Sequence, residues 1–236
     1  MGLRINADKT KSMAVTDSPL HLRCDNQDIE QVLEFKYLGS TVLNTGSTEK
    51  DTSCRIGQAS GTFNRLKPIW RSQNFSLRLK LRLFNSNVIP VLLYASETWH
   101  LNNTQERRIL AFENTCLRRI LNIHWSQKIS NEKVRRMTGQ PIVTDVIRTR
   151  RWKYLGHVLR MDDSRIPKAT FQRQPEGRRR RGRPRNTLRR TYQTDLRNIN
   201  AFLQPAWEDV LAAAHMRDDW RLLVDALGAS GGTRMI

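Results

Sequence analysis

Residues 104–123, TQERRILAFENTCLRRILNI, carry the strongest helical pattern in this chain. Their apolar positions recur every three or four residues, so they would lie along one face of an α-helix: Ile109, Leu110, Phe112, Cys116, Leu117, Ile120 and Leu121. Asn103 with Glu106 three residues later has the pattern of a capping box. Arg107 and Arg118, like Arg108 and Arg119, are eleven residues apart, which places each pair on one side of such a helix. This stretch therefore predicts a long amphipathic helix.

Helical patterns continue on both sides of this stretch. Residues 52–70, 130–137 and 144–161 each carry apolar residues at helical spacing. Residues 76–84, SLRLKLRLF, also alternate like a strand, but we predict a helix because no turn signal interrupts them before Pro90. The six tryptophans are spaced as core anchors of helices, and base stacking is the alternative for any that is exposed.

The two ends of the chain differ from this helical middle. At the N-terminal end, residues 2–6 and 10–16 are typical of short extended pieces, and residues 34–43, EFKYLGSTVL, predict a β-hairpin that bends near Gly39. Residues 172–186, QRQPEGRRRRGRPRN, contain two prolines and no apolar residue, which is typical of a linker that is disordered when free. Beyond this linker the apolar spacing predicts three short helices, with Asp218 and Asp219 at an N-cap.

Charge is distributed unevenly along the chain, which has a formal net charge of +19. Residues 55–125 hold 11 basic and 3 acidic residues, and residues 126–191 hold 20 and 5. Residues 1–54, with 6 basic and 8 acidic residues, and residues 192–236, with 4 and 6, are net negative. A basic middle of this kind is the electrostatic footprint of a nucleic-acid site, and a solvated basic surface is the alternative.

Several classes of protein are disfavoured by the same composition. The three cysteines are far apart and odd in number, which argues against a zinc knuckle or a disulfide framework and favours a reducing compartment. The N-terminus lacks the apolar core of a signal peptide, and no apolar run is long enough to span a membrane. We therefore expect no membrane partner and no metal site.

The motifs GLRIN (2–6), KTKSM (9–13) and FKYLGS (35–40), in this order, resemble those of reverse transcriptases of the LINE type, from non-long-terminal-repeat retrotransposons. Gly2–Asn6 followed by Lys9–Met13 is similar to the fourth conserved motif of the polymerase palm, and Phe35–Ser40 to the primer-grip hairpin. Residues 91–99 (VLLYASETW), 112–121 (FENTCLRRIL), 152–161 (WKYLGHVLRM), 182–185 (GRPR) and 220–224 (WRLLV) resemble the region that follows the palm. The alternative is an unrelated basic helical protein.

This resemblance implies a mainly α chain: a small β-hairpin remnant of the palm, a helical thumb-like domain and a small helical C-terminal cap. The corresponding segments are a palm remnant at 1–50, a thumb-like domain at 51–125, a basic helical segment at 126–171, an Arg-rich linker at 172–187 and the cap at 188–236. The implied function is binding of RNA or a template–primer duplex, so the partners are RNA and DNA, with no small-molecule substrate.

The resemblance implies no catalytic residue in this chain. LINE-type polymerases hold Mg²⁺ on palm aspartates in a Tyr/Phe-x-Asp-Asp signature, and this chain has no equivalent. Asp162-Asp163 and Asp218-Asp219 are more simply explained as charges at helix ends, so no cofactor is expected. There are two alternatives. In the first, the chain is part of an active polymerase by splicing or complementation with an upstream palm. In the second, it is an inert translated relic.

Several residues are implied to contact nucleic acid. Lys9, with Lys11 next, matches a palm lysine that protonates the leaving pyrophosphate, and a solvated turn lysine is the alternative. Tyr37, Leu38 and Gly39 would lie along the primer, unless they form only a hairpin packed on helices. The arginines expected to bind phosphate are Arg107, Arg108, Arg118, Arg119, Arg178, Arg179, Arg180, Arg181, Arg183, Arg185, Arg189 and Arg190.

The arginine run has a further resemblance. Arg181-Gly182-Arg183-Pro184 is similar to the core of an AT-hook, which enters narrow A·T minor grooves. Sequence-independent phosphate contact, a nuclear-localisation signal and a merely solvated run are the alternatives. We accordingly expect an intracellular and nuclear protein.

Overall fold

The computed structural model describes residues 5–14, 21–24, 27–172, 188–199 and 207–229. These residues are mainly helical with a small β region, as predicted. They form two compact units. The first holds the described residues up to Ala95 together with Trp99–Arg108, and the second holds Ser96–Thr98 and the described residues from Ile109 onwards. None of the described helices is long and apolar enough to cross a membrane.

The first unit begins with short strands. After a 3₁₀ turn at Ala7–Lys9 come β1 (Lys11–Ser12), β2 (Leu22–Cys24) and β3 (Gln27–Gln31), with β3 between the other two. β1 is parallel to β3 and β2 is antiparallel to it. Of the predicted extended piece at 2–6, residues 2–4 lie outside the described residues.

The predicted hairpin is confirmed. It is formed by β4 (Glu34–Tyr37) and β5 (Ser40–Leu43), which pair antiparallel with Phe35 opposite Val42. The two turn residues between them, Leu38 and Gly39, have φ angles of 47° and 86°. A two-residue hairpin turn with both φ angles positive is a type I′ turn, whose twist matches that of the strands. Glycine at the second turn position satisfies this geometry without strain.

The helices of the first unit follow the hairpin. They are α1 (Glu49–Arg65), α2 (Lys67–Arg71), α3 (Leu77–Leu83) and α4 (Ile89–Leu92), with a π-helical turn at Phe84–Val88. The helix predicted for the ambiguous stretch 76–84 is thus confirmed as α3. The Phe63 ring stacks on Trp70 at 5.0 Å and meets Phe84 edge-on at 6.2 Å. The indole N–H of Trp70 donates to the Phe63 carbonyl at 2.8 Å, so this buried ring has its polar group satisfied.

The long amphipathic helix is α5 (Asn103–Ile120), which belongs to the first unit up to Arg108 and to the second from Ile109. Its capping box is displaced by one residue from the predicted Asn103 and Glu106. The Gln105 N–H donates to Asn102 Oδ1 at 2.9 Å, and the Asn102 N–H donates to Gln105 Oε1 at 2.8 Å. The helix starts at Asn103, so Asn102 is its N-cap and Gln105 its third residue.

The second unit is built on α7. Its helices after α5 are α6 (Asn131–Thr138), α7 (Val143–Leu159), α8 (Ile166–Gln172), α9 (Leu188–Ile199), α10 (Trp207–His215) and α11 (Arg217–Ala229). The last three confirm the predicted C-terminal helices, but Asp218 and Asp219 lie in the first turn of α11 and not at its N-cap. One buried cluster joins α7 to these helices: Trp152, Leu155, Leu159, Tyr192, Leu196, Val210, Ala214, Trp220, Val224 and Leu227. The predicted five-part division of the chain stays a prediction.

A glycine determines how closely α11 packs on α7. The Trp220 indole lies against Gly156, and its N–H donates to the Trp152 carbonyl at 3.2 Å. A Cβ atom added at Gly156 would lie 2.1 Å from Trp220 Nε1, a distance at which the two atoms would overlap. The close approach of the indole to the backbone of α7 therefore depends on this position having no side chain.

Candidate nucleic-acid interface

The hairpin turn projects two large side chains into solvent. Tyr37 is 62% exposed and Leu38 is 74% exposed. The carbonyl groups of the turn are held from the helices: Arg55 Nη2 donates to Gly39 O at 2.7 Å, and the Tyr94 hydroxyl donates to Leu38 O at 2.9 Å. The Arg55 guanidinium also lies 4.3 Å from the centre of the Tyr94 ring, a cation–π distance. The two turn carbonyls are therefore held by Arg55 and Tyr94, while the side chains of Tyr37 and Leu38 remain exposed.

A buried aspartate on α1 holds the hairpin from a second point. Asp51 Oδ1 accepts from the Thr41 N–H at 2.9 Å, and Asp51 Oδ2 accepts from the Trp99 indole N–H at 2.8 Å. Asp51 and Arg55 are four residues apart on α1, so both project from one side of the helix. Charge-assisted hydrogen bonds of this kind position the hairpin on the helix.

The two candidate lysines have different surroundings. Lys9 ends the 3₁₀ turn with an exposed side chain, and its backbone N–H donates to Asn6 Oδ1 at 3.1 Å. Lys11 on β1 forms an ion pair with Glu30, the residue that faces it on β3. Lys9 thus offers an exposed charge, whereas the charge of Lys11 is compensated within the sheet.

The four arginines of α5 also differ from one another. Arg107, Arg108 and Arg119 are exposed. Arg118 is half-buried and donates through Nη2 to Ile129 O at 2.6 Å and to Asn131 Oδ1 at 2.8 Å. These bonds secure the chain that follows α5, so Arg118 has a structural role that the helical pattern did not predict.

The structure describes part of the arginine run. Arg178, Arg179, Arg180, Arg181, Arg183 and Arg185 lie outside the described residues. Arg189 and Arg190 lie in the first turn of α9, and both side chains are exposed. The Arg189 guanidinium lies 5.4 Å from the Trp207 ring centre. Within the run, these two arginines are the ones that the structure describes.

Two arginines of α7 are used inside the second unit. Arg148 donates to Asp145 Oδ1 at 2.9 Å and to Asp195 Oδ1 at 3.3 Å. Arg151 is buried 3.8 Å from Asp195 Oδ2, which also accepts from the Trp152 indole N–H at 3.0 Å. These charges link α7 to α9 and are not available to a phosphate backbone.

The two adjacent-aspartate pairs lie beside helix ends, as predicted. Asp162 Oδ1 accepts from the Ser164 hydroxyl at 2.5 Å and from the Ser164 N–H at 3.0 Å. These two hydrogen bonds lower the pKa of the Asp162 carboxyl. Asp163 is ion-paired with Lys168 at 2.7 Å, and Asp218 is paired with Arg221 at 3.4 Å. In the part of the chain that the structure describes, no three His, Cys, Asp or Glu side chains are grouped to hold a metal ion.

Two features of the surface were not singled out by the sequence reasoning. Residues 52–96 contain no acidic residue, and the basic side chains of α1, α2 and α3 that point into solvent there are Arg65, Lys67, Arg71, Arg78 and Arg82. The absence of any Asp or Glu over so long a stretch was the signal that could have identified this surface. The second feature is Trp125, which was expected in the core and is 82% exposed.

Comparison with known proteins gives two matches. The model of a family described as a domain of unknown function, DUF6451, matches residues 62–94, which run from the end of α1 to just beyond α4. The chain is also 26% identical to a Caenorhabditis elegans protein described as an uncharacterized transposon-derived protein. That match covers 174 residues, 70% of this chain and 62% of the nematode protein. The matched region is thus less than two thirds of the relative's length. No solved structure shows significant similarity.

Proposed function

We propose that this chain derives from a transposable element and binds RNA, or a template–primer duplex, through its basic helical surfaces. The proposed origin rests on the likeness to the transposon-derived nematode protein. We further propose that the chain corresponds to the nucleic-acid-binding region after the palm of a LINE-type reverse transcriptase and acts in the nucleus. The order of the palm-like, primer-grip-like and later motifs supports this finer proposal.

The observation that carries the proposal is a set of exposed basic side chains in an acid-free stretch of the first unit, named here the α1–α3 surface and defined by Arg65, Lys67, Arg71, Arg78 and Arg82. All five side chains are exposed, and residues 52–96 supply no carboxylate to compensate them. A polyanion that pairs with such side chains releases condensed counterions, which favours binding at low salt. The domain of unknown function overlaps the same residues.

Other exposed residues extend the proposed contact in each unit. In the first unit these are Lys9, Arg107, Arg108 and the hairpin residues Tyr37, Leu38 and Gly39. In the second unit they are Arg119, Arg189 and Arg190, to which we add the arginines of 178–185. Phosphate contacts of this kind are independent of sequence, so the proposed binding tolerates different sequences.

Fluorescence anisotropy with labelled RNA and with an RNA–DNA duplex at several salt concentrations tests the proposal. If roughly 6 phosphates are neutralised, log K falls with log salt with a slope of about −5. No binding at low salt, or a flat salt response, would refute the proposal.

A matched pair of variants tests which surface is used. Replacing Arg71, Arg78 and Arg82 with Gln removes three charges from the α1–α3 surface and should flatten the slope by up to ~3 units. Replacing Arg23, Arg217 and Arg221 with Gln removes the same charge from exposed positions in the net acidic ends of the chain. The second variant should bind with nearly the wild-type slope. Equal losses in both variants would mean that only net charge matters.

A further inference from the structure

Trp125 differs from the other tryptophans that the structure describes because its side chain is largely exposed. Trp70, Trp99, Trp152 and Trp220 are buried, and each indole N–H donates to a named acceptor within its own unit. Trp207 is half-buried against the Phe171 ring at 6.2 Å. Trp125 is 82% exposed, so its large aromatic face remains in water. A single exposed apolar side chain is common on protein surfaces, so its surroundings decide whether it has a role.

The loop that carries Trp125 is held by a closed set of hydrogen bonds. The His124 N–H donates to Gln127 Oε1 at 3.0 Å, and the Gln127 N–H donates to His124 O at 3.1 Å. The Lys128 N–H donates to Trp125 O at 3.2 Å, which closes a 3₁₀ turn at Trp125–Gln127. Arg118 then secures the following residue through its 2.6 Å bond to Ile129 O. The exposed ring therefore stands on an ordered turn and is positioned before any ligand arrives, which reduces the entropy lost on binding.

The charges around this loop favour an anionic partner. Between Glu113 and Glu132 the sequence contains no acidic residue, while Arg119 and Lys128 have exposed side chains. The two flanking acids are already paired: Glu113 with Arg135 at 2.7 Å, and Glu132 with Arg136 at 2.9 Å. Burial raises the pKa of the Glu113 carboxyl, and the Arg135 ion pair only partly offsets this effect. The Glu113 side chain is 3% exposed, so its carboxyl does not lie on the surface beside Trp125.

A second ring extends the aromatic surface. The exposed His124 ring lies 5.6 Å from the Trp125 ring, and the two planes are tilted by 44°. An exposed aromatic face beside basic side chains is the combination with which proteins bind single-stranded nucleic acid, because every base has a face that can stack. A duplex does not offer such a face along its length, since its bases are already stacked on each other.

We propose that Trp125 is a stacking platform for an unpaired base of single-stranded RNA or DNA, with Arg119 and Lys128 beside the neighbouring phosphates. This inference rests on the proposed nucleic-acid function and deepens it by naming the form of nucleic acid that this surface of the second unit binds. The ring supplies a contact that does not depend on salt, whereas the two basic side chains supply one that does.

Binding of a short unstructured RNA and of a hairpin-free duplex to Trp125→Ala tests the proposal. The variant should bind the single strand roughly 5- to 100-fold more weakly at constant salt, because loss of one stacked base has an effect of this order. Its salt slope and its duplex affinity should be unchanged. Trp125→Phe should recover most of the loss, whereas Trp125→Leu should not, because only an aromatic ring restores stacking. Far-UV circular dichroism should be the same for all variants, since the ring is exposed.

Ile166→Ala is the matched control, because Ile166 is also in the second unit and is 80% exposed. It should bind both ligands as the wild type does. If the wild type binds RNA with a steep salt slope but Trp125→Ala binds the single strand equally well, the stacking inference is overturned and the general function stands. If Trp125→Leu restores binding, apolar contact and not stacking is responsible, which also overturns the inference. If the wild type binds neither ligand, both proposals fail.

Discussion

Replacement of Gly156 by alanine should destabilise the second unit, although alanine is the better helix former. Gly156 lies within α7, where glycine lowers helix stability by about 0.5–1 kcal/mol relative to alanine. From helix propensity alone, Gly156→Ala would therefore stabilise the protein. The structure predicts the opposite, because the new Cβ would lie 2.1 Å from Trp220 Nε1 and 2.5 Å from Trp220 Cε2. The backbone of α7 and a fully packed indole must then move apart.

The magnitude follows from the contacts that this movement disturbs. Overpacking a well-packed core costs about 1–3 kcal/mol. Displacement of the indole also breaks its 3.2 Å bond to Trp152 O, and a buried donor left without a partner costs about 1–3 kcal/mol. With the gain in helix propensity subtracted, we expect a net loss of about 1–5 kcal/mol. The effect should be largest at α11, which carries Trp220.

The chain contains its own controls for this substitution. Gly57 and Gly61 also lie inside a helix, α1, but nothing lies within 4 Å of a Cβ added at either position. Gly57→Ala and Gly61→Ala should therefore stabilise the first unit by about 0.5–1 kcal/mol each. Urea unfolding followed by circular dichroism measures the stability of all three variants. Hydrogen exchange of the α7 and α11 amides shows whether the effect of Gly156→Ala is largest there. The reasoning is refuted if Gly156→Ala raises the unfolding midpoint as the control substitutions do.

Two further predictions concern buried groups. Asp51→Ala removes the acceptor of both the Thr41 N–H and the Trp99 indole N–H, so it should lower the free energy of unfolding of the first unit by about 2–4 kcal/mol. Chemical denaturation measures this change. A loss below ~1 kcal/mol would show that water replaces both bonds. The cysteines should differ in reactivity, because Cys54 is exposed whereas burial raises the pKa of the Cys116 thiol to about 12. A thiol reagent at mildly alkaline pH should label Cys54 rapidly and Cys116 only after denaturation. Peptide mapping identifies the labelled cysteine. Rapid labelling of Cys116 in the folded protein would contradict its burial.

Much of the secondary structure could be predicted because it depends on local spacing. The apolar stripe of 104–123 predicts α5 within a few residues, since helical periodicity is a property of neighbouring positions. The hairpin is likewise local, because Leu38-Gly39 meets the φ requirement of a two-residue turn. The capping box was displaced by one residue because Asn102 and Asn103 are both acceptable N-caps. Sequence alone does not decide between two adjacent asparagines.

The candidate site was less predictable because its arrangement depends on partners that are distant in sequence. Arg55 was simply one basic residue of a helical stretch, yet it binds the Gly39 carbonyl 16 positions earlier. Trp99 and Asp51 are 48 positions apart, and no periodicity connects them. The same limit applies to Arg118 and Lys11, which the sequence analysis assigns to nucleic acid and which the structure shows in contact with Asn131 and Glu30. Arginine content predicts a basic chain, but only packing shows which arginines remain on the surface.

Stability and binding can be measured separately, because two different sets of residues are expected to determine them. Gly156 and Asp51 act through a buried indole and a buried carboxylate, so their replacement changes stability first, and Asp51 can affect binding only through the hairpin that it positions. Arg71, Arg78 and Trp125 project into solvent, so their replacement removes little packing and should leave the free energy of unfolding within about 0.5 kcal/mol of the wild type. A variant of the second set that lost both affinity and stability would show that its side chain is part of the fold. Loss of affinity at unchanged stability is the result that the proposed interface requires.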